Sequence, residues 1–277
     1  MPLDSKVEQQ IDCVFKKALN DGRRYLYEFE VYTILKALGL QVPDYIFITD
    51  PCNLDEEQLA PFLPKAMAKI VSPDLAHKSR YGGVRPVSVE DPLYVRFVLN
   101  AMKEEVLSHF DADTKPKIDG FLISEFIPFT QALGNEVLIG AREDPAFGPT
   151  VTLSKGGDDA EFFARWYDPA NVSIAPLSME EAYRISHGLK IRYKLEAEGR
   201  TEDCNRIAEA LYAISLLAYR YSFSIAKGAR FHLLQLDINP FVFSRKDRGA
   251  FIAVDGFAEF AVAQERKNPE PRPPVSS

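Results

Sequence analysis

The stretch Lys69-Ile-Val-Ser-Pro-Asp-Leu-Ala-His77-Lys-Ser-Arg-Tyr-Gly82-Gly83-Val84 gathers residue types suited to phosphate. Lys69, Lys78 and Arg80 supply cations, and lysine offers phosphate a compact point charge. Gly82 and Gly83 let the backbone come close and aim N–H groups at oxygen. His77 adds an imidazole, a competent nucleophile near pH 7 when neutral. The same composition also fits a polar hairpin loop between two strands, and the stretch alone leaves both readings open. A second group is Asp237, Asn239 and Asp255, each at the polar end of an apolar segment. Carboxylate and amide oxygens are the donors that a hard cation such as Mg2+ selects, leaving other positions to phosphate and water. Asp-Ile-Asn-Pro and Asp-Gly are also turn formers, so this group too has two readings. His109, His187 and His232 lie in or beside predicted helices and strands and are read as structural or solvated.

The hydropathy pattern supplies the elements that would carry these residues. Helical spacing marks residues 7–19 and 28–38, with Gly39 as a stop. Residues 45–49, 66–71 and 84–89 read as strands, with a short helix over 54–62. Pro92 at a first turn opens an amphipathic helix to about His109. Residues 120–127, 136–141 and 150–153 read as three successive strands of one antiparallel sheet. The segment 158–175 has no clear pattern. Ser178 with Glu181 forms a capping box, and a further helix starts near Thr201. Residues 231–236 and 241–243 read as two strands on either side of an Asp237–Pro240 turn, and 251–254 as a last strand.

The 277 residues, 46% hydrophobic and 26% charged, describe an ordinary folded protein. The net charge of −7 argues against a nucleic-acid binder. Cys13, Cys52 and Cys204 are too few and too scattered for a disulfide framework or a zinc site, which points to the reducing cytoplasm. There is no apolar leader and no run of about 18 apolar residues, so neither a signal peptide nor a membrane span is expected.

In chain order the landmarks are Glu28-Phe-Glu30, Leu38-Gly-Leu-Gln-Val-Pro43, the Lys69–Val84 stretch, Glu125-Phe-Ile-Pro128, Glu136-Val-Leu-Ile-Gly140, Asp144-Pro-Ala-Phe-Gly-Pro149, Ala175-Pro-Leu-Ser178, Leu236-Asp-Ile-Asn-Pro240 and Val254-Asp255. Together they resemble the ATP-grasp (beta-type) subunit of the ADP-forming acyl-CoA and acetyl-CoA synthetases, relatives of succinyl-CoA synthetase. The resemblance implies an α/β (α+β) ATP-grasp fold with two lobes clamping a nucleotide. It implies an N-terminal helix over 1–21 and an ATP-grasp domain over 22–262. The small lobe would run from about 45 to 125 and the large lobe from about 126 to 262 plus 22–44, before a disordered tail over 263–277.

By the same resemblance the cofactors are ATP/ADP and Mg2+. Lys69 would contact nucleotide phosphate, with Gly82 and Gly83 in the same loop. Glu125, Phe126 and Ile127 would line the base, and Glu136 would approach the ribose or nucleotide. Asn239 and Asp255 would hold the metal, with Asp237 near the transfer site. His77 would be a phosphoryl carrier between ADP and a first phosphohistidine on a CoA-binding ligase subunit. That partner would bring the CoA and the small carboxylic acid, since no Gly-x-Gly-x-x-Gly start of a CoA-binding domain is present here. The glycine-rich turn departs from the family pattern: Lys155-Gly156-Gly157 follows Leu153-Ser154, and Lys155 would add charge over the phosphates. The competing expectations are a carboxylate–amine ligase of the same fold and a non-catalytic regulatory subunit.

Overall fold

The computed structural model describes residues 3–75, 78–157, 160–166, 171–247 and 249–263. Asp4 caps α1 (Ser5–Asn20), its carboxylate accepting the Lys6 amide at 2.7 Å. The buried face of α1 is Ile11, Phe15 and Ala18. Phe15 packs among Tyr221, Phe260 and Phe231 with ring centroids 4.9 to 5.5 Å apart. Gly22, at φ +76°, turns the chain into β1 (Tyr25–Leu26) and then α2 (Glu28–Ala37).

A four-stranded antiparallel sheet follows. It contains β2 (Tyr45–Ile48), β3 (Lys65–Val71), β4 (Val84–Ser88) and β5 (Gly120–Glu125), in the order β2-β5-β3-β4. The single-turn α3 (Glu56–Leu59) and the longer α4 (Pro92–Ser108) pack on it. Val95, Leu99, Met102 and Val106 of α4 join Ala66, Ala68, Ile70 and Ile123 in one apolar cluster.

The rest of the chain builds a larger sheet. Its parts are β6 (Glu136–Asp144), β7 (Gly148–Lys155), α5 (Ala160–Trp166), β8 (Asn171–Ile174), α6 (Met179–Gly188), α7 (Ile191–Ala197), α8 (Glu202–Arg220), β9 (Phe231–Phe243), β10 (Phe251–Ala253) and β11 (Gly256–Val262). The order is β1-β11-β9-β6-β7-β8, with β10 paired to the far end of β9. Alternation along the strands gives the sheet two faces. Val137, Ile139, Ala141, Val151, Leu153, Leu236 and Ile238 are buried in one cluster with Ile207, Leu211 and Ile214 of α8. That cluster also takes in Val71 and Leu122 of the smaller sheet, so the two sheets share apolar contact. Gly140 and Asp237, paired across β6 and β9, belong to the other face.

Three expectations change. Residues 231–243 form one strand, because β6 and β11 pair with its central part on either side. Pro240 gives that strand no N–H, but its carbonyl accepts from Val254 N at 3.1 Å. The three successive strands do not share a sheet: β5 is central in the smaller one, while β6 and β7 form a hairpin in the larger. Residues 54–62 do not make one helix, since α3 gives way after a single turn to a 3-10 turn over Ala60–Phe62 that holds Pro61. The elements β1, α5, β8, α7 and β11 lie where no element was expected. Among the described residues no helix is long and apolar enough to cross a membrane. Of the expected tail, only Ala263 falls among the described residues.

Candidate active site where the two sheets meet

Lys69 is a cation within the apolar run 66–71 of β3, and it is 5% exposed. A buried ammonium requires a partner. Its Nζ donates to Glu28 Oε1 across the junction of the sheets and to the Val254 carbonyl at 2.7 Å. Glu28 is the first residue of α2, where the helix N-terminus favours negative charge. Its Oε1 also accepts from Tyr32 Oη at 2.6 Å, one helical turn on, and its Oε2 accepts from Lys78 Nζ at 2.6 Å. Burial works to raise the Glu28 carboxyl, but the charges and hydrogen bonds of Lys69 and Lys78 outweigh it and bring its pKa down to about 2. Burial would lower Lys78, yet the charges of Glu28 and Asp255 hold it above the usual lysine value. Burial and the neighbouring Glu28 carboxylate push Tyr32 well up.

Asp255 stands beside this cluster. Burial, and then the charge of Glu28, raise its carboxyl above the ordinary value, with Lys78 and Lys69 offsetting part of the effect. Its Oδ1 accepts from Gly256 N at 2.9 Å. Gly256 pairs with Ile238, so one residue further Asp255 comes opposite Asn239. Asn239 Oδ1 accepts from Gly157 N at 2.7 Å. Gly157 has φ +86°, and a Cβ there would stand 2.6 Å from Glu136 Oε1. A Cβ on Gly156 would stand 2.7 Å from the Val137 carbonyl carbon. Gly156 is required by the close approach of the Val137 backbone and Gly157 by its positive φ, and the turn they make brings Glu136 and Asn239 to one place. Asp237 lies over Gly140, where a Cβ would be 2.9 Å from its Oδ1, and its Oδ2 accepts from Gln235 Nε2.

Other expected residues lie elsewhere or play other parts. Lys155 is paired with Val137, on the face of the sheet that packs on α8 and not on that of Asp237; its Nζ donates to the Gly156 carbonyl at 3.1 Å. Gly82 N donates to Ser79 O and Gly83 N to Lys78 O, so both amides are committed within their own turn. Glu125 ends β5 and receives Lys246 Nζ at 3.3 Å, while Phe126 lies under Lys65 Nζ at 4.3 Å from its ring centroid. Glu125 and Ile127 line a cavity of about 500 Å3 with Lys36, Gln41, Lys246 and Ile252. Lys69, Glu136, Asn239 and Asp255 do not line it. His77 lies outside the described residues.

Among the described residues no group of three or more His, Cys, Asp or Glu side chains is arranged to hold a metal ion. Asn239 and Asp255 offer amide and carboxylate oxygens from adjacent register positions, a donor set that suits a hard cation completing its shell with phosphate and water. The sequence reading counted Lys78 only as one of the loop cations and assigned no role to the Glu28 or Tyr32 side chains. The available signal was Glu28 itself, a carboxylate one helical turn before Tyr32 on a helix face that is otherwise apolar.

The family model described as an ATP-grasp domain matches residues 17–257. The chain is similar to subunit beta of acetate–CoA ligase [ADP-forming] I from Pyrococcus furiosus, 29% identical over 248 residues that cover 87% of this chain and 94% of that one. It is also similar to acetate–CoA ligase [ADP-forming] I from Archaeoglobus fulgidus, 28% identical over 245 residues, which are 86% of this chain but only 32% of that longer protein. Among solved structures, the dinucleotide-forming acetyl-coenzyme A synthetase 1 of Ca. Korarchaeum cryptofilum, in complex with coenzyme A, Ca-AMPCP and HgCl+, superposes with a TM-score of 0.69 at 26% identity, over 90% of this chain and 98% of that one. The chain thus spans about a third of the longer relative and nearly all of the separate subunit. With the family model covering residues 17–257 and the antiparallel sheets meeting at the Lys69–Glu28 pair, the chain belongs to the ATP-grasp family.

Proposed function

We propose that this chain is the nucleotide-binding subunit of an ADP-forming acid–CoA ligase, catalysing acid + CoA + ATP = acyl-CoA + ADP + Pi together with a CoA-binding subunit. The observation that carries the proposal is the convergence of Lys69, Lys78, Asp255 and Asn239 where the two sheets meet. The near-complete match to a beta subunit that bears this activity in its name supports the reaction class.

In this reading Lys69 and Lys78 meet the phosphates, whose transfer depends mainly on positioning and charge. Glu125, Phe126 and Ile127 flank the base, and Glu136, with the Gly156-Gly157 turn folded over it, faces the ribose side. Asn239 and Asp255 would hold Mg2+, which offsets charge on the transferring group. Asp237 stands on the same sheet near that point. An imidazole nitrogen of His77 attacks the γ-phosphorus of ATP; the N–P bond forms as the bond to the ADP oxygen breaks, and ADP leaves with the electron pair. His77 then passes the phosphoryl group to the partner's histidine, which delivers it to the acid as an acyl phosphate. The CoA thiol attacks that carbonyl, giving the thioester and releasing phosphate.

The test is co-purification with a CoA-binding subunit, sought first in the neighbouring open reading frame, and an assay of ADP release. Release that needs both an acid and CoA supports the ligase. Release that needs an acid and an amine, without CoA, would establish the carboxylate–amine ligase instead.

A further inference from the structure

Lys69 of β3 and Lys78, in the connection from β3 to β4, converge on a single carboxylate. Lys78 opens the 3-10 turn Lys78–Tyr81, and its carbonyl accepts from Gly83 N at 2.8 Å. The Gly83 carbonyl in turn accepts from Ile70 N at 2.8 Å, which ties this turn back to β3 beside Lys69. Each Glu28 oxygen takes one ammonium group, and Tyr32 Oη fixes the Oε1 side. The Glu28 side chain is 3% exposed, so the carboxylate is held by these protein partners rather than by solvent. A lysine ammonium on its own rotates freely on a four-carbon stem. Two of them side by side repel one another unless an anion stands between them.

We infer that Glu28 is a positioning residue, whose buried carboxylate fixes the spacing of the Lys69 and Lys78 ammonium groups so that both serve one phosphate-bearing ligand. This rests on the nucleotide-binding part of the proposed function and goes beyond it, since Glu28 itself touches no substrate. The group recognised is a polyphosphate; the base and ribose are held elsewhere. Loss of Glu28 should therefore weaken binding of the phosphates and spare that of the nucleoside.

The test is calorimetric titration of the full chain with ATP and with adenosine, each in magnesium chloride. The wild type is expected to bind ATP at least about tenfold more tightly than adenosine, the scale of one charge-assisted hydrogen bond. Glu28→Gln is expected to weaken ATP about tenfold and to leave adenosine within about twofold. Lys78→Met should show a similar loss, and Glu28→Gln added to Lys78→Met should cost little more. If Glu28→Gln does not fold, Glu28→Asp makes the same test, because a carboxylate drawn back by one methylene reaches only one ammonium group. The inference is overturned by a variant that binds ATP as tightly as wild type or more tightly, by losses that add in full, or by a wild type indifferent to the phosphates. ATP selectivity without ligase turnover in the reconstituted complex would instead sink the proposed function and leave the Glu28 assignment standing.

Discussion

Lys69 and Glu28, 41 residues apart in the chain, form a buried ion pair that ties β3 of the smaller sheet to α2 beside the larger one. Removing one member of such a pair leaves the other without compensation, at a cost of about 3–5 kcal/mol. Lys69→Met keeps Lys78 on Glu28, so the lower end, about 3 kcal/mol, is expected in urea unfolding. The same variant should bind ATP at least about tenfold more weakly in calorimetry.

The Glu28 carboxyl makes stability depend on pH. Its folded value, about 2, lies below the value of 4.5 expected for the unfolded chain. The stabilisation is therefore fully present above about pH 4.5 and is lost as pH falls toward 2. Its size is on the order of 3 kcal/mol. Asp255 has the opposite sign: its folded value lies above the unfolded one, so its ionisation costs stability as pH rises from the acid side. Urea midpoints at pH 3 and pH 6 should show the wild type gaining stability at the higher pH. Glu28→Gln should remove most of that gain and also weaken the Asp255 effect, part of which comes from the Glu28 charge.

Gly157→Ala places a side chain at φ +86° and against the Glu136 carboxylate. A left-handed non-glycine residue costs about 1–2 kcal/mol. Thermal unfolding should show a loss of that size or somewhat more. Because Asn239 accepts the Gly157 amide, ATP affinity should fall as well, whereas Gly22→Ala, with open space at its Cβ, should weaken the fold without touching affinity.

Phe15→Ala is the packing control. The ring is fully buried among three other rings, none of them a candidate-site residue named above. A loss of about 3–5 kcal/mol in urea unfolding is expected, with the ATP dissociation constant of the remaining folded protein unchanged.

Much of this was legible along the chain. Capping residues and apolar spacing located α1, α2, α4, α6 and α8 to within a few residues. The approach of Asp255 to Asn239 followed from hairpin logic. Asp237–Pro240 was misread as a turn because its composition is local information, whereas the strands that hold it extended come from residues 136–142 and 256–262. The resemblance put Lys155 in the turn expected over the phosphates; register, which decides which face a strand residue occupies, pairs it with Val137 and could not be read from the sequence. Glu28 acquires its part only through Lys69 and Lys78, 41 and 50 residues away, and spacing within α2 carries no trace of either.

The most direct measurement is ATP-driven CoA thioester formation by the reconstituted complex with wild-type chain and with His77→Ala. The phosphoryl relay predicts acid- and CoA-dependent ADP release by the wild type, a phosphate on His77 that is acid-labile and base-stable, and no thioester turnover by the variant. Thioester formation by His77→Ala at the wild-type rate would contradict it.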